Sequence, residues 1–130
     1  MSELTTYVGM DVHKKDIFVA LLRPESDEPL EWKLRNEPRA VRRLAKRLRR
    51  EASGELRCVY EAGPCGYALY WQLVVLGIPC DVVAPTLVPI RSGDRVKTDR
   101  RDALKLARSY RSGDLTSVWV PDAQHEALRD

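Results

Sequence analysis

At 130 residues, with 44% hydrophobic and 32% charged residues, the chain has material for one domain with a real core and too little for two. No apolar run approaches the roughly 18 residues of a membrane span, and the first residues lack the basic-then-apolar plan of a signal peptide. The net charge is only +3, yet residues 39–50 hold seven Lys or Arg and no acid, and residues 91–111 hold eight against three acids. Blocks that dense favour a polyanion partner over two merely solvated helix faces.

Taken in order, Tyr7-Val8-Gly9-Met10-Asp11-Val12 reads as a buried strand broken by one acid. His13-Lys14-Lys15-Asp16 is a polar turn, and Ile17-Phe18-Val19-Ala20-Leu21-Leu22 is the hairpin partner. Leu30-Glu31-Trp32-Lys33-Leu34-Arg35 alternates and gives a third, half-exposed strand. Asn36 is expected to cap a helix with Pro38 in its first turn. Its apolar stripe is Val41, Leu44, Ala45 and Leu48, and Ser53-Gly54 ends it. Leu56-Arg57-Cys58-Val59-Tyr60 is a fourth strand closed by Glu61. After the turn residues Gly63, Pro64 and Gly66 comes an apolar helix over residues 67–76, then a fifth strand over residues 79–83.

Residues 85–97 read as a loop. Thr98 is then the expected N-cap of a helix running to about residue 111 and ended by Gly113. Ala103, Leu106, Ala107 and Tyr110 recur as one buried stripe. Asp99 and Asp102 continue that stripe toward the helix N-terminus. Val118-Trp119-Val120-Pro121 is a short extended exit, and the chain stops as a new helix begins, as an N-terminal piece of a longer protein would. The expected units are a domain over residues 1–115 and a linker over 116–130. The class is α/β, a mixed sheet in the order β-β-β-α-β-α-β-α, which is the order of the ribonuclease-H-like fold.

Carboxylates organise the functional reading. Asp11 inside an apolar strand is costly unless something balances it, and Glu61 closes a parallel strand, where ligand sites of α/β sheets gather. Should strands one and four be neighbours, Asp11 and Glu61 lie side by side, and the last helix brings Asp99 and Asp102 to them. Each acid alone is as well explained by a turn, a cap or a salt bridge; their coincidence carries the argument. Four hard oxygen donors suit Mg²⁺ or Mn²⁺. The three cysteines, Cys58, Cys65 and Cys80, show no paired ligand spacing, which argues against zinc and for reduced thiols in the cytoplasm. Two such ions about 3.5–4 Å apart serve phosphodiester displacement, with basic helices beside the acids to offset repulsion from a phosphate backbone.

Three stretches carry a family resemblance: Tyr7-Val8-Gly9-Met10-Asp11-Val12-His13-Lys14, Tyr60-Glu61-Ala62-Gly63 and, above all, Lys97-Thr98-Asp99-Arg100-Arg101-Asp102-Ala103. With the exit at 118–121 they resemble the DEDD transposases of the IS110 type, over nearly the whole chain. The resemblance implies a RuvC-like catalytic domain whose acids, Asp11, Glu61, Asp99 and Asp102, coordinate Mg²⁺. It implies cutting and rejoining of DNA at insertion-sequence ends and target, a structured guide RNA, and assembly into dimers or tetramers. It also implies a second domain, beyond residue 130, that carries a nucleophilic serine.

Lys14, Arg42, Arg43, Arg47, Arg91, Arg95, Lys97, Arg100 and Arg101 are the expected nucleic-acid contacts, with the 85–97 loop ordering on nucleic acid. His13 reads as an exposed turn residue, with a role beside Asp11 or at a phosphate as the other reading. Tyr67, Tyr70 and Trp71 read as core or interface rather than as base-stacking platforms. Two further functions compete. One is a nucleic-acid-binding and assembly module that merely retains its acids. The other is a sugar-kinase-like nucleotide site, disfavoured because His13-Lys14-Lys15 stand where a glycine-rich phosphate loop belongs.

Overall fold

The computed structural model describes residues 4–63, 65–84, 99–118 and 120, and for residues 99–101 the backbone alone. The elements are β1 (Thr5–Val12), β2 (Asp16–Leu22), β3 (Leu30–Arg35), α1 (Pro38–Glu51), β4 (Glu55–Glu61), α2 (Ala68–Val75), β5 (Cys80–Val83) and α3 (Asp99–Ser112). The five strands form one mixed sheet in the order β3-β2-β1-β4-β5. β2 is antiparallel to both β1 and β3, whereas β4 is parallel to both β1 and β5. This mixed α/β arrangement is consistent with an RNase-H-like fold. No described helix is long and apolar enough to cross a membrane.

Strand alternation sorts the core into two layers. Val8, Met10, Ile17, Val19, Leu21, Cys58, Tyr60 and Val82 face α1 and α2, where Val41, Leu44, Leu48, Leu69 and Leu73 meet them. On the other face Ala20 and Leu22 meet Ala103 and Ala107, and Val59 and Val83 meet Leu106. The second layer is thinner because its side chains are smaller.

One local expectation needs correction. Asn36 does not cap α1: Glu37 holds that position in an extended conformation, with no side-chain capping bond and Pro38 next. Proline disfavours helical backbone at the residue before it, which leaves Glu37 as the half-in residue. Asn36 instead donates its Nδ2–H to His13 O at 2.8 Å. At the other end of the chain, Ser117 forms an antiparallel bridge to Val83 and the Val118 N–H donates to Val82 O at 2.8 Å, so the exit runs against β5. Thr98, Trp119, Pro121 and the 85–97 loop lie outside the described residues.

Candidate functional site

The first two acids are placed by the sheet. The parallel register pairs Gly9 with Val59 and Met10 with Tyr60. The next step along both strands sets Asp11 beside Glu61 at their C-terminal ends. Both acids share parity with Gly9 and Val59, so both belong to the α3 face.

The third acid is placed by the close approach of α3. A Cβ on Gly9 would lie 2.5 Å from Ala107 N and closer still to Ala103 O. Only glycine lets the helix backbone come down onto β1. Ala103 and Ala107 keep the helix side of that seam small, and Asp102 stands just before it. Asp11, Glu61 and Asp102 thereby line one cleft of about 160 Å³, with Met10, Gly63 and Leu106 among its other walls. Asp99 is the first residue of α3, one turn before Asp102; its side chain lies outside the described residues.

Both ends of the site are fastened. Tyr60, buried beside Glu61, donates its hydroxyl to Gly66 O and accepts from Tyr70 N–H, each at 3.2 Å. The Ala62 N–H donates to Val83 O at 2.9 Å, which carries the ladder past Glu61. At the far end of α3, Tyr110 packs edge-on against Tyr7 with ring centroids 5.5 Å apart and donates its hydroxyl to Asp81. Burial, and then that bond to Asp81, push the Tyr110 phenol well above its ordinary pKa. Gly113, at a φ of +78°, closes α3 with Gly113 N–H donating to Tyr110 O and Asp114 N–H to Ser109 O.

The donor chemistry fits a hard divalent cation: three carboxylates share the cleft, and the thiols of Cys58 and Cys80 belong to β4 and β5 away from its lining. Among the described residues, no three acidic, histidine or cysteine side chains stand where they could hold one ion. The carboxylates are gathered without being converged. One of them has a neighbour in His13, which is exposed as expected and also stands beside Asp11, as its other reading has it. His13 Nε2 lies 2.9 Å from Asp11 Oδ2, where its N–H donates to the carboxylate. The signal was available, since residues two apart on an extended chain share a side.

The basic residues divide. Lys14 is exposed in the β1–β2 turn, at the acids' end of the sheet. Arg42 and Arg43 are exposed on α1 and line a groove of about 300 Å³ with Arg39, Lys46, Arg49 and Leu76. That groove is across the sheet from the carboxylates, so the expectation of basic helices beside the acids fails for α1. Arg47 is half-buried, its guanidinium 3.9 Å from the centroid of the Trp32 ring, a packing role as much as a binding one. Arg91, Arg95 and Lys97 lie outside the described residues, as do the side chains of Arg100 and Arg101.

Comparison with known proteins covers the same residues. The family model for DEDD transposases of the IS110 type, described as a transposase, matches residues 8–130. The protein y4qE of Sinorhizobium fredii (strain NGR234), named as a transposase, is 45% identical over 126 residues, which cover 95% of this chain and 32% of that protein. The transposase for insertion sequence element IS1533 of Leptospira borgpetersenii is 42% identical over 126 residues, covering 95% of this chain and 36% of that protein. The chain spans about a third of the length of these curated relatives.

Proposed function

The chain belongs to the DEDD transposases of the IS110 type, and from that premise we propose that it is the metal-dependent catalytic part of a DNA transposase. The observation that carries the reading is the shared cleft: Asp11 and Glu61 side by side on parallel strands, with Asp102 brought over them by α3. Asp11, Glu61 and Asp102, with Asp99 one helical turn before Asp102, would hold Mg²⁺ or Mn²⁺. Such an ion supplies charge stabilisation to the oxygens exchanged in phosphodiester cutting and rejoining. The protein's own residues fix where that happens. Gly9 sets the height of α3 above β1, and Tyr60 steadies the turn that follows Glu61.

The proposed partners are the DNA of insertion-sequence ends and target, together with a structured guide RNA, within a dimer or tetramer of the whole protein. Arg39, Arg42, Arg43, Lys46 and Arg49 would hold phosphates on the α1 face, while Lys14, Arg100 and Arg101 stand at the acids' end. A second reading, a binding and assembly module that keeps acids it does not use, draws on the absence of a converged ion-holding trio among the described residues. One experiment decides between them. In the intact protein, Asp11→Asn, Glu61→Gln and Asp102→Asn should each reduce Mg²⁺-dependent DNA cutting to background while circular dichroism stays unchanged. Wild-type cutting by the triple variant would establish the module instead.

A further inference from the structure

We infer that His13, itself held by Asn36, is a positioning residue that orients the Asp11 carboxylate for the cleft. The inference rests on the carboxylate site proposed above and concerns how one member of it is aimed.

The chain of contacts begins away from the acids. Asn36, between β3 and α1, grips the β1–β2 turn twice: its Nδ2–H donates to His13 O at 2.8 Å and its backbone N–H donates to Lys15 O at 2.8 Å. Within the turn, the His13 N–H donates to Asp16 O at 2.9 Å. The imidazole then leans over β2, edge-on to Phe18 with centroids 5.9 Å apart. Phe18 is the register partner of Asp11 on that strand. From this seat His13 Nε2 reaches Asp11 Oδ2 at 2.9 Å. The ring is therefore held through its backbone, along its edge and at its tip.

The His13–Asp11 pair itself serves stability little. The His13 side chain is 44% exposed and that of Asp11 21%, and a pair so open to water adds little to folding. The β1–β2 turn is tied by more than its own hairpin bond, through the continuation of the β2–β3 ladder at Lys15 and through the Asn36 side chain. Tying it from residue 36 has a clear consequence elsewhere. A carboxylate gripped at one oxygen has its plane set, and the direction of its other oxygen is set with it. Hydrogen bonds of this kind orient groups that bind a metal, and their loss typically weakens affinity about 10–100-fold.

The test is Mn²⁺ affinity of the intact protein, read from the electron paramagnetic resonance of free Mn²⁺, alongside thermal unfolding. The variants are His13→Ala, His13→Gln, Asn36→Ala and, as reference, Asp11→Asn. His13→Ala should weaken Mn²⁺ binding about 10-fold, and Asn36→Ala should weaken it less. His13→Gln, whose amide Nε2 can reach the same oxygen, should recover most of the loss. The unfolding temperature of His13→Ala should stay close to wild type. Wild-type affinity in His13→Ala, with affinity lost in Asp11→Asn, would overturn the positioning role and leave the carboxylate site standing. Equal losses in His13→Gln and His13→Ala would overturn it as well. Wild-type affinity in Asp11→Asn would instead remove the carboxylate site on which the inference rests.

Discussion

The two faces of the sheet solve different problems with the same strands. Toward α1 and α2, β1 presents Val8 and Met10, and large aliphatic side chains fill a thick layer. Toward α3, the same strand presents Gly9 and Asp11, and the opposing helix offers Ala103 and Ala107. Burial of Leu44, Leu48 and Leu73 on the first face stabilises the fold by roughly 1.5–3 kcal/mol each, as an upper range. The second face buries less but brings backbone to backbone, and that closeness lets a helix carboxylate stand over two strand carboxylates. Stability and site are thereby separated by the thickness of one sheet.

That separation can be broken deliberately. Leu48→Ala, in the thick layer, should cost about 2–5 kcal/mol in urea unfolding, while protein that remains folded keeps wild-type Mn²⁺ affinity. Gly9→Ala should also destabilise, by about 1–3 kcal/mol or more, because the added Cβ would stand closer than 3 Å to the α3 backbone. Its Cβ meets helix backbone that cannot rotate away, so α3 must lift and carry Asp102 from Asp11 and Glu61. Mn²⁺ affinity should fall in Gly9→Ala even under fully folded conditions. Unchanged affinity there, or lost affinity in folded Leu48→Ala, would contradict the division of labour.

A smaller effect sharpens the comparison from the surface. The double variant Arg42→Gln/Arg43→Gln should reduce the salt slope of nucleic-acid binding by about two, measured by fluorescence anisotropy across a salt series. Mn²⁺ affinity should not move, because α1 lies across the sheet from the cleft.

The smallest effect concerns the thiols. Burial, with Asp81 adding to it, raises the Cys80 thiol to about 12, and burial raises Cys58 as well, whereas Cys65 is exposed in the turn after β4. A raised thiol pKa lowers the thiolate fraction, to roughly one part in ten thousand for Cys80 at pH 8. Native alkylation at pH 8, followed by mass spectrometry, should therefore mark Cys65 well before Cys58 or Cys80. As pH rises toward 12, Cys80 should begin to react. The same shifts favour folding most below the ordinary thiol pKa and less as pH rises through the raised values.

Much of this was legible in the sequence, and the failures are instructive. Alternation in β1, β2 and β4 and the stripe of α3 follow directly from strand and helix periods, so the acids could be assigned to their elements. The side of the sheet taken by α1 was not read, because an amphipathic stripe says that a face is buried without saying against what. A rule was available: β3, β4 and β5 are mutually parallel and the chain moves across the sheet in one direction. Right-handed crossovers then put α1 and α2 on one face. Asn36 has the composition of a capping residue, but Pro38 shifts the helix boundary to Glu37. His13 is exposed, as a turn residue followed by two lysines suggests, and its contact with Asp11 becomes legible only once Asn36 is seen to hold the turn.

The most direct test of the account is Mn²⁺ binding by the intact protein, wild type against Asp99→Asn/Asp102→Asn, with circular dichroism to confirm folding. The account predicts that a folded double variant has lost the ion, since it proposes Asp99 and Asp102 as ligands together with Asp11 and Glu61. Wild-type Mn²⁺ affinity in the folded double variant would contradict it.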